Sequence, residues 1–424
     1  MSPRKKSFEA DPEIWDVAVI GGGPAGMMAA GRAAELGAKV FLIEKNSSLG
    51  KKLLITGGGR CNITNAEFDT RTFLSKFKQN DKFLFSAFSE FSVTEALDFF
   101  HIRGLETKIE AEKRVFPVTD KTQSVWDVLV NYMKESGVTV LSNSPVLGFE
   151  TEGKQITAIN LKNKKIFARS IILATGGKSR PETGSTGEGF DWLHKLRHTI
   201  HASNAALVPI ALKDAWVKKL SGVALKDIKI TVFQNRVKQE QRKGKMLFTH
   251  VGVSGPAILN LSRDIGELLK YGEVTLELDL LPMLDYSALN SKLQEILLEN
   301  AKKKIKNSLS ALIPSALIET ALELSHIDPA TLCSGITREQ RLALEKTLKH
   351  LPMHVKGLLG LDKAVVTSGG VALDEVDFKT MRSRLISNLF LVGDILNIDR
   401  PSGGYSLQLC WTTGFVAGSA ATKN

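Results

Sequence analysis

Few folds accommodate the stretch from Ile14 to Glu44. An apolar run, Val17 to Ile20, meets Gly21-Gly22-Gly23-Pro24-Ala25-Gly26 without a spacer; small residues follow to Gly37, and a second apolar run, Val40 to Ile43, ends in Glu44. The order predicts strand, tight turn, helix and strand. Glycines 21, 23 and 26 match the G-x-G-x-x-G spacing, in which the turn, the approach of backbone to a pyrophosphate and the helix–strand contact each exclude a Cβ. An anion would lie on the helix N-terminus, where free N–H groups and the helix dipole favour it. Glu44 is placed to accept a hydrogen bond from a ribose hydroxyl. A glycine fingerprint alone is weak, but these parts in this order predict a dinucleotide-binding α/β domain.

At 424 residues the chain exceeds one ordinary domain, so two or three are expected. Hydrophobic residues at 43% and charged residues at 24% support a buried core. No apolar run reaches the length of a membrane span, and Met1 to Ala10 carries no apolar segment of a secretory signal. Cys61, Cys333 and Cys410 are too scattered for a disulfide framework or a zinc site, so a reducing cytoplasm and no metal are expected. A net charge of +11 favours a polyanionic partner over a small cationic substrate, the alternative being a solvated basic surface.

After Glu44 the sequence Thr56-Gly57-Gly58-Gly59-Arg60-Cys61-Asn62 cannot be regular structure, and it permits close approach of backbone to a flat or anionic ligand. Phenylalanines 83, 85, 88, 91, 99 and 100 read as helical core packing. Short strands are expected at Val138–Leu141 and from Val146 to Phe149. A longer one through Leu173 ends in Ala174-Thr175-Gly176-Gly177, a second place for backbone to close over a ligand. Gly184 to Gly189 follows no strand and is not taken as a second nucleotide site.

Near His201 the character changes. Ala206–Leu212, Ile228–Phe233 and Val274–Leu280 read as strands, and Gly244 to Pro256, containing His250, reads as a functional loop. From Tyr286 to Leu351 the pattern is helical, with a capping box from Thr337 to Gln340. The run Lys302, Lys303, Lys304 and Lys306 is either a solvated helix end or a phosphate contact. The α/β character returns at Lys363, with Ala364 and Val365 opening a strand. Leu389 to Val392 then ends in Gly393-Asp394, and Arg400-Pro401-Ser402-Gly403-Gly404-Tyr405 opens a last helix. The expected division is a discontinuous nucleotide domain (1–200 and 360–424), a β-rich insertion (201–285) and a helical domain (286–359).

The glycine turn, Glu44, Ala174 to Gly177 and Leu391-Val392-Gly393-Asp394 together resemble the two-dinucleotide-binding-motif flavoproteins. The loops Thr56–Asn62, Phe248–Pro256 and Arg400–Tyr405 narrow the resemblance to the BaiN-like, aminoacetone-oxidase-like family of bacterial flavoproteins, over nearly the whole chain. The resemblance implies an α/β, Rossmann-like FAD-binding domain interrupted by a β-barrel-like insertion and a small helical domain. It implies that Gly21, Gly23 and Gly26 hold the FAD pyrophosphate, Glu44 the adenosine ribose and Asp394 the ribityl chain, with Pro24, Ala25, Lys45 and Gly393 also in contact with the cofactor. Lys52, Gly57, Gly58, Gly59, Arg60, Asn62, Val146, Thr175, Gly176, Gly177, Gly403, Gly404 and Tyr405 complete the implied cofactor contacts, with the Gly57–Asn62 loop beside the flavin ring.

The chain lacks a second strand–GxGxxG–helix unit, so NAD(P)H is expected as a transient electron donor rather than a resident. Activities in the family range over a ribosomal RNA uridine, a small amine and bile acids. Basicity favours ribosomal RNA, because phosphates require neutralisation. Reduction of a uridine to dihydrouridine is therefore expected. A small-molecule flavin oxidase or dehydrogenase, acting on an amine or an enone, and a non-catalytic FAD-containing binding factor are the alternatives. Three catalytic candidates stand beside bland readings: Cys61 as proton donor or packing residue, His250 as acid or structural histidine, and Arg400 as substrate ligand or ion-pair member.

Overall fold

The computed structural model describes residues 13–360 and 366–423. The expected strand opening at Lys363, Ala364 and Val365 and the stretch Met1 to Ala10 lie outside the described residues. Chain contacts divide into two compact units, one formed by residues up to Asn204 with those from Val366 onward, the other by Ala205–Val365.

The first unit is built on the predicted nucleotide fold. Ile14–Ile20 pairs in parallel with Val40–Ile43 on one side and Lys165–Leu173 on the other. Thr139–Leu141 extends the sheet beyond Val40–Ile43, and Leu389–Leu391 adds a further parallel strand beside Lys165–Leu173. An antiparallel hairpin, Gly148–Glu152 and Gln155–Asn160, completes the seven strands. Val17, Val19, Leu42, Ile172 and Leu391 are fully buried, as a parallel sheet covered on both faces demands.

The helix Pro24–Glu35 owes its packing to small residues. Ala25, Gly26, Ala29 and Ala30 are buried, and the C-terminal helix Tyr405–Ala421 crosses it closely. A Cβ on Gly414 would lie 2.5 Å from the Ala25 carbonyl oxygen, and one on Gly418 2.5 Å from that of Ala29. Phe88, Phe91, Phe99 and Phe100 are core residues as expected, whereas Phe83 is half-buried against them and Phe85 is 39% exposed.

The second unit is a closed six-stranded barrel of Ile210–Leu212, Gly252–Ser254, Val237–Thr249, Ala224–Gln234, Val274–Asp279 and Leu351–Leu358. Two expectations are corrected here. Gly244 to Thr249 belongs to a strand thirteen residues long, and the glycines beyond it serve close approach: a Cβ on Gly252 would fall 1.9 Å from the Ile210 carbonyl oxygen. Leu351–Leu358, expected within the helical segment, is the strand that closes the barrel. Its alternation of buried Leu351, Met353 and Val355 with exposed Pro352, His354 and Lys356 is the period-two pattern that the preceding helix masks. The helices Tyr286–Glu299, Ser315–Leu324 and Arg338–Lys349 share one hydrophobic cluster with the barrel, so 201–285 and 286–359 form one unit. The capping box at Thr337 is present.

Candidate nucleotide-binding and redox site

The glycine turn is shaped by backbone collisions that side chains would cause. Gly21 has φ +105°, and a Cβ there would stand 2.5 Å from the Ala174 carbonyl oxygen. One on Gly26 would lie 1.9 Å from the Gly21 carbonyl oxygen. Gly23 differs, since nothing lies within 4 Å of its would-be Cβ. It is also the N-cap of Pro24–Glu35, with no side chain capping the first turn and no acidic residue in it. Open space at Gly23 and uncapped N–H groups behind it form a cradle for an anion.

Glu44 is buried and already at work. One carboxylate oxygen accepts from the Gly22 N–H at 2.7 Å, the other from the Asn46 N–H at 2.7 Å and the Asn46 Nδ2 at 2.8 Å. With roughly four acceptor positions on a carboxylate, capacity for a ribose hydroxyl remains. Lys45 donates to Thr186 Oγ1 at 2.7 Å and pairs with Glu188 at 3.0 Å, and Asn46 Nδ2 reaches the Thr183 carbonyl at 3.1 Å. The Gly184–Gly189 loop therefore fastens onto the end of the second strand. Asn46 was missed in the sequence; its neighbour Lys45 was singled out. Val146 is buried nearby in sequence to Ser144, whose N–H bonds the Glu44 carbonyl at 2.9 Å.

The end of Leu389–Leu391 delivers the charged centre of the site. Gly393, at φ +70°, donates its N–H to Thr413 Oγ1 at 3.0 Å. The Asp394 carboxylate then meets Lys52 Nζ at 3.1 Å and the Arg400 guanidinium. Burial alone would raise this carboxyl, but the positive charges of Arg400 and Lys52 hold it below the usual carboxylate range. Lys52 also donates to Ser179 Oγ at 2.8 Å. Arg400 has no side-chain exposure, and it also donates to Ser406 Oγ at 3.0 Å and the Ile398 carbonyl at 2.6 Å. Of the two readings of Arg400, its surroundings support the ion-pair member rather than a residue free to grip substrate.

The loop after Thr56 adopts left-handed backbone at Gly57, Gly58 and Gly59, and the last two open onto empty space. Arg60 is turned away to Glu110 and Asp120 at 2.5 Å each and lies over Phe116, so it braces the loop. Cys61 has φ +60° and no exposure, and burial pushes its thiol up to about 12. A group so shielded and so weakly acidic fits the packing reading. Asn62 Oδ1 and Thr175 Oγ1 are buried without a hydrogen-bond partner, the kind of orphan a ligand satisfies. Gly176 lies against Ser185 Oγ, and Gly177 is buried beside it in sequence.

The same loop leads to Tyr405–Ala421. Asn65 Nδ2 donates to the Gly403 carbonyl at 3.1 Å, and a Cβ on Gly404 would strike Thr64 at 2.2 Å. Thr64 Oγ1 donates to Gln408 Oε1 at 2.7 Å. The helix starts without a side-chain cap or an acidic residue in its first turn, so its positive end is unscreened. The Tyr405 ring packs against Phe73 and Phe77 in the core, leaving backbone as its means of contact with a ligand. His250 belongs to the second unit, exposed in the turn between two barrel strands.

The open cradle at Gly23, the exposed glycines 58 and 59, two orphaned polar atoms and an incompletely buried Asp394 fit an elongated dinucleotide of the FAD type. Among the described residues no cluster of metal ligands is present and no helix is long and apolar enough to cross a membrane.

Comparison with known proteins agrees. A 3-dehydro-bile acid delta(4,6)-reductase of Clostridium scindens is 31% identical over 96% of this chain and 99% of its own length. A ribosomal RNA dihydrouridine synthase of Escherichia coli is 30% identical over 95% of this chain and 97% of its own. The fold matches that of a 3-ketosteroid-delta4-(5alpha)-dehydrogenase from Rhodococcus jostii with a TM-score of 0.56 at 16% identity, covering 100% of both chains. The family described as HI0933-like protein Rossmann domain matches residues 15–420. The chain belongs to that family and is a flavin-dependent oxidoreductase.

Proposed function

We propose that this protein reduces a uridine of large-subunit ribosomal RNA to dihydrouridine, with FAD as resident cofactor and NAD(P)H as transient donor. The observation that carries the reading is the net charge of +11 in a chain similar over nearly its full length to a ribosomal RNA dihydrouridine synthase. Three free, buried cysteines agree with work in a reducing cytoplasm. When bound, FAD supplies hydride transfer to C6 of the uracil ring, C5 taking a proton, at the expense of NAD(P)H.

The chain's own residues hold and orient. The Gly23 cradle receives the pyrophosphate and Glu44 the adenosine ribose. Asp394, fixed by Lys52 and Arg400, receives the ribityl hydroxyls. Asn62 and the open glycines 58 and 59 would hold the ring, and the unscreened start of Tyr405–Ala421 would favour negative charge on it.

A second reading has support from the bile acid reductase relative, namely reduction of an enone of steroid type. Both substrates present a double bond conjugated to a carbonyl, so one hydride geometry serves either. Expression in cells lacking their own such enzyme, followed by mass spectrometry of dihydrouridine in the large-subunit RNA, tests the choice. Its appearance supports the RNA reading; its absence, with FAD bound and an enone reduced, transfers the proposal to small molecules.

A further inference from the structure

The barrel hairpin Ala224–Gln234 and Val237–Thr249 carries a charge distribution that stability does not explain. Between Lys226 and Lys245 stand seven basic residues, Lys226, Lys229, Arg236, Lys238, Arg242, Lys243 and Lys245, against two acidic ones, Asp227 and Glu240. Ile228, Ile230 and Val232 are buried, which puts Lys229 and Thr231 on the outer face. Lys243 lies directly opposite Lys229 in the antiparallel ladder and therefore shares that face. Lys245, two residues on, faces a bulge where the register shifts between Leu225 and Ile228, and Asp227 there has φ +53°.

Like charges directly opposite one another destabilise a sheet. Asp279 at 3.5 Å offsets Lys229, but among the described residues no carboxylate lies within ion-pair distance of Lys226, Arg236, Lys238, Lys243 or Lys245. Four lysines elsewhere in the same unit are matched locally: Lys213 with Glu273 at 3.1 Å, Lys219 with Glu323 at 3.2 Å, Lys270 with Glu267 at 2.7 Å and Lys292 with Glu295 at 2.7 Å. Five of the hairpin's seven cations thus lack a carboxylate partner among the described residues, on two strands held together by one antiparallel ladder. Chain entropy is already spent there, so a regular polyanion gains several phosphate contacts at once.

We infer that the outer face of this hairpin, with Lys243 and Lys245 along it and Lys238 near its tip, is a docking surface for the phosphate backbone of RNA. The inference rests on the RNA reading above and adds the surface that would hold that substrate. Each lysine displaces counterions from a phosphate without reading sequence, so the face supplies affinity and salt dependence while selection of a base is left to the redox site.

The test is fluorescence-anisotropy binding of the FAD-loaded protein to a labelled transcript of large-subunit ribosomal RNA domains, between about 50 and 200 mM KCl. The triple variant K238Q/K243Q/K245Q is expected to bind more weakly at low salt. Its slope of log affinity against log salt should be shallower by about 2 to 3, at roughly 0.7 to 0.9 per lost contact. K302Q/K303Q/K304Q, which removes an equal charge from the exposed run after Tyr286–Glu299, should leave the slope unchanged. Wild-type slope and affinity in the hairpin variant overturn the hairpin assignment alone, as does a loss confined to the Lys302 variant. Failure of the wild-type protein to bind the transcript overturns this inference and the RNA reading together.

Discussion

The Arg400 guanidinium, with no solvent exposure, is bound to the carboxylate of Asp394, six residues earlier at the end of a sheet strand. Neither charge is comfortable alone: removing one partner of a buried pair leaves the other uncompensated, at a cost of about 3 to 5 kcal/mol. Arg400→Leu should therefore unfold at markedly lower denaturant and lose FAD. Asp394→Asn should lose FAD and stability as well, because the fully buried Arg400 then keeps only its bonds to Ser406 and Ile398. Flavin absorbance after gel filtration, set beside a denaturant melt, separates the two effects.

Gly23 and Gly26 belong to one motif yet should fail differently. Gly23→Ala places its methyl in open space in extended backbone, so stability should change by no more than about 1 kcal/mol while FAD affinity falls sharply. Gly26→Ala drives a methyl into the Gly21 carbonyl and should cost on the order of 3 kcal/mol even without cofactor. Thermal melts of the two apoproteins, compared with FAD titrations, check this. Equal melts would remove the distinction.

Cys61→Ala should retain turnover, because a thiol held near 12 with no exposure is a poor proton donor at neutral pH. All three cysteines are buried, so a thiol reagent should react only as the protein unfolds. Abolished turnover with FAD retained would restore Cys61 to the mechanism.

His198 is buried, bonded through Nε2 to Ser383 at 2.7 Å, with Nδ1 unpartnered. Burial holds its pKa below the ordinary histidine value, against the pull of Glu375. The unfolded chain thus binds this proton more readily than the folded one. Its contribution to stability is present above about pH 6.5 and is lost as pH falls through the histidine range. Denaturant melts from pH 7.5 to 5 should show the decline, and His198→Gln should flatten it.

What was legible in the sequence was local or periodic. The collision that reserves position 26 for glycine is with Gly21 of the same turn, so spacing announces it, whereas the one at position 21 is with the distant Ala174. Val274 to Leu280 revealed its alternation because turns flank it. The closing strand Leu351–Leu358 starts two residues after a helix ends, and its period of two was absorbed into the helical reading. Arg400 was ambiguous for a different reason: its charge partner is fixed by the fold. Lys52 and Asp394 meet across 342 residues, a contact that no spacing rule conveys. Lys243 escaped notice because only strand register shows that it faces Lys229.

The barrel's closing strand also sets a timetable. During synthesis Ile210–Leu212 and Val274–Asp279 are made well before Leu351–Leu358, the strand that pairs with both. At typical translation rates the ribosome needs on the order of ten seconds to cross the intervening helices. Throughout that interval the nascent barrel exposes two open edges, a template for pairing with another chain. The helices that emerge in the meantime bury their apolar faces in the same cluster and can shield the half-made sheet. They lie between the penultimate and last barrel strands, so that apolar surface is made before the strand that closes the barrel.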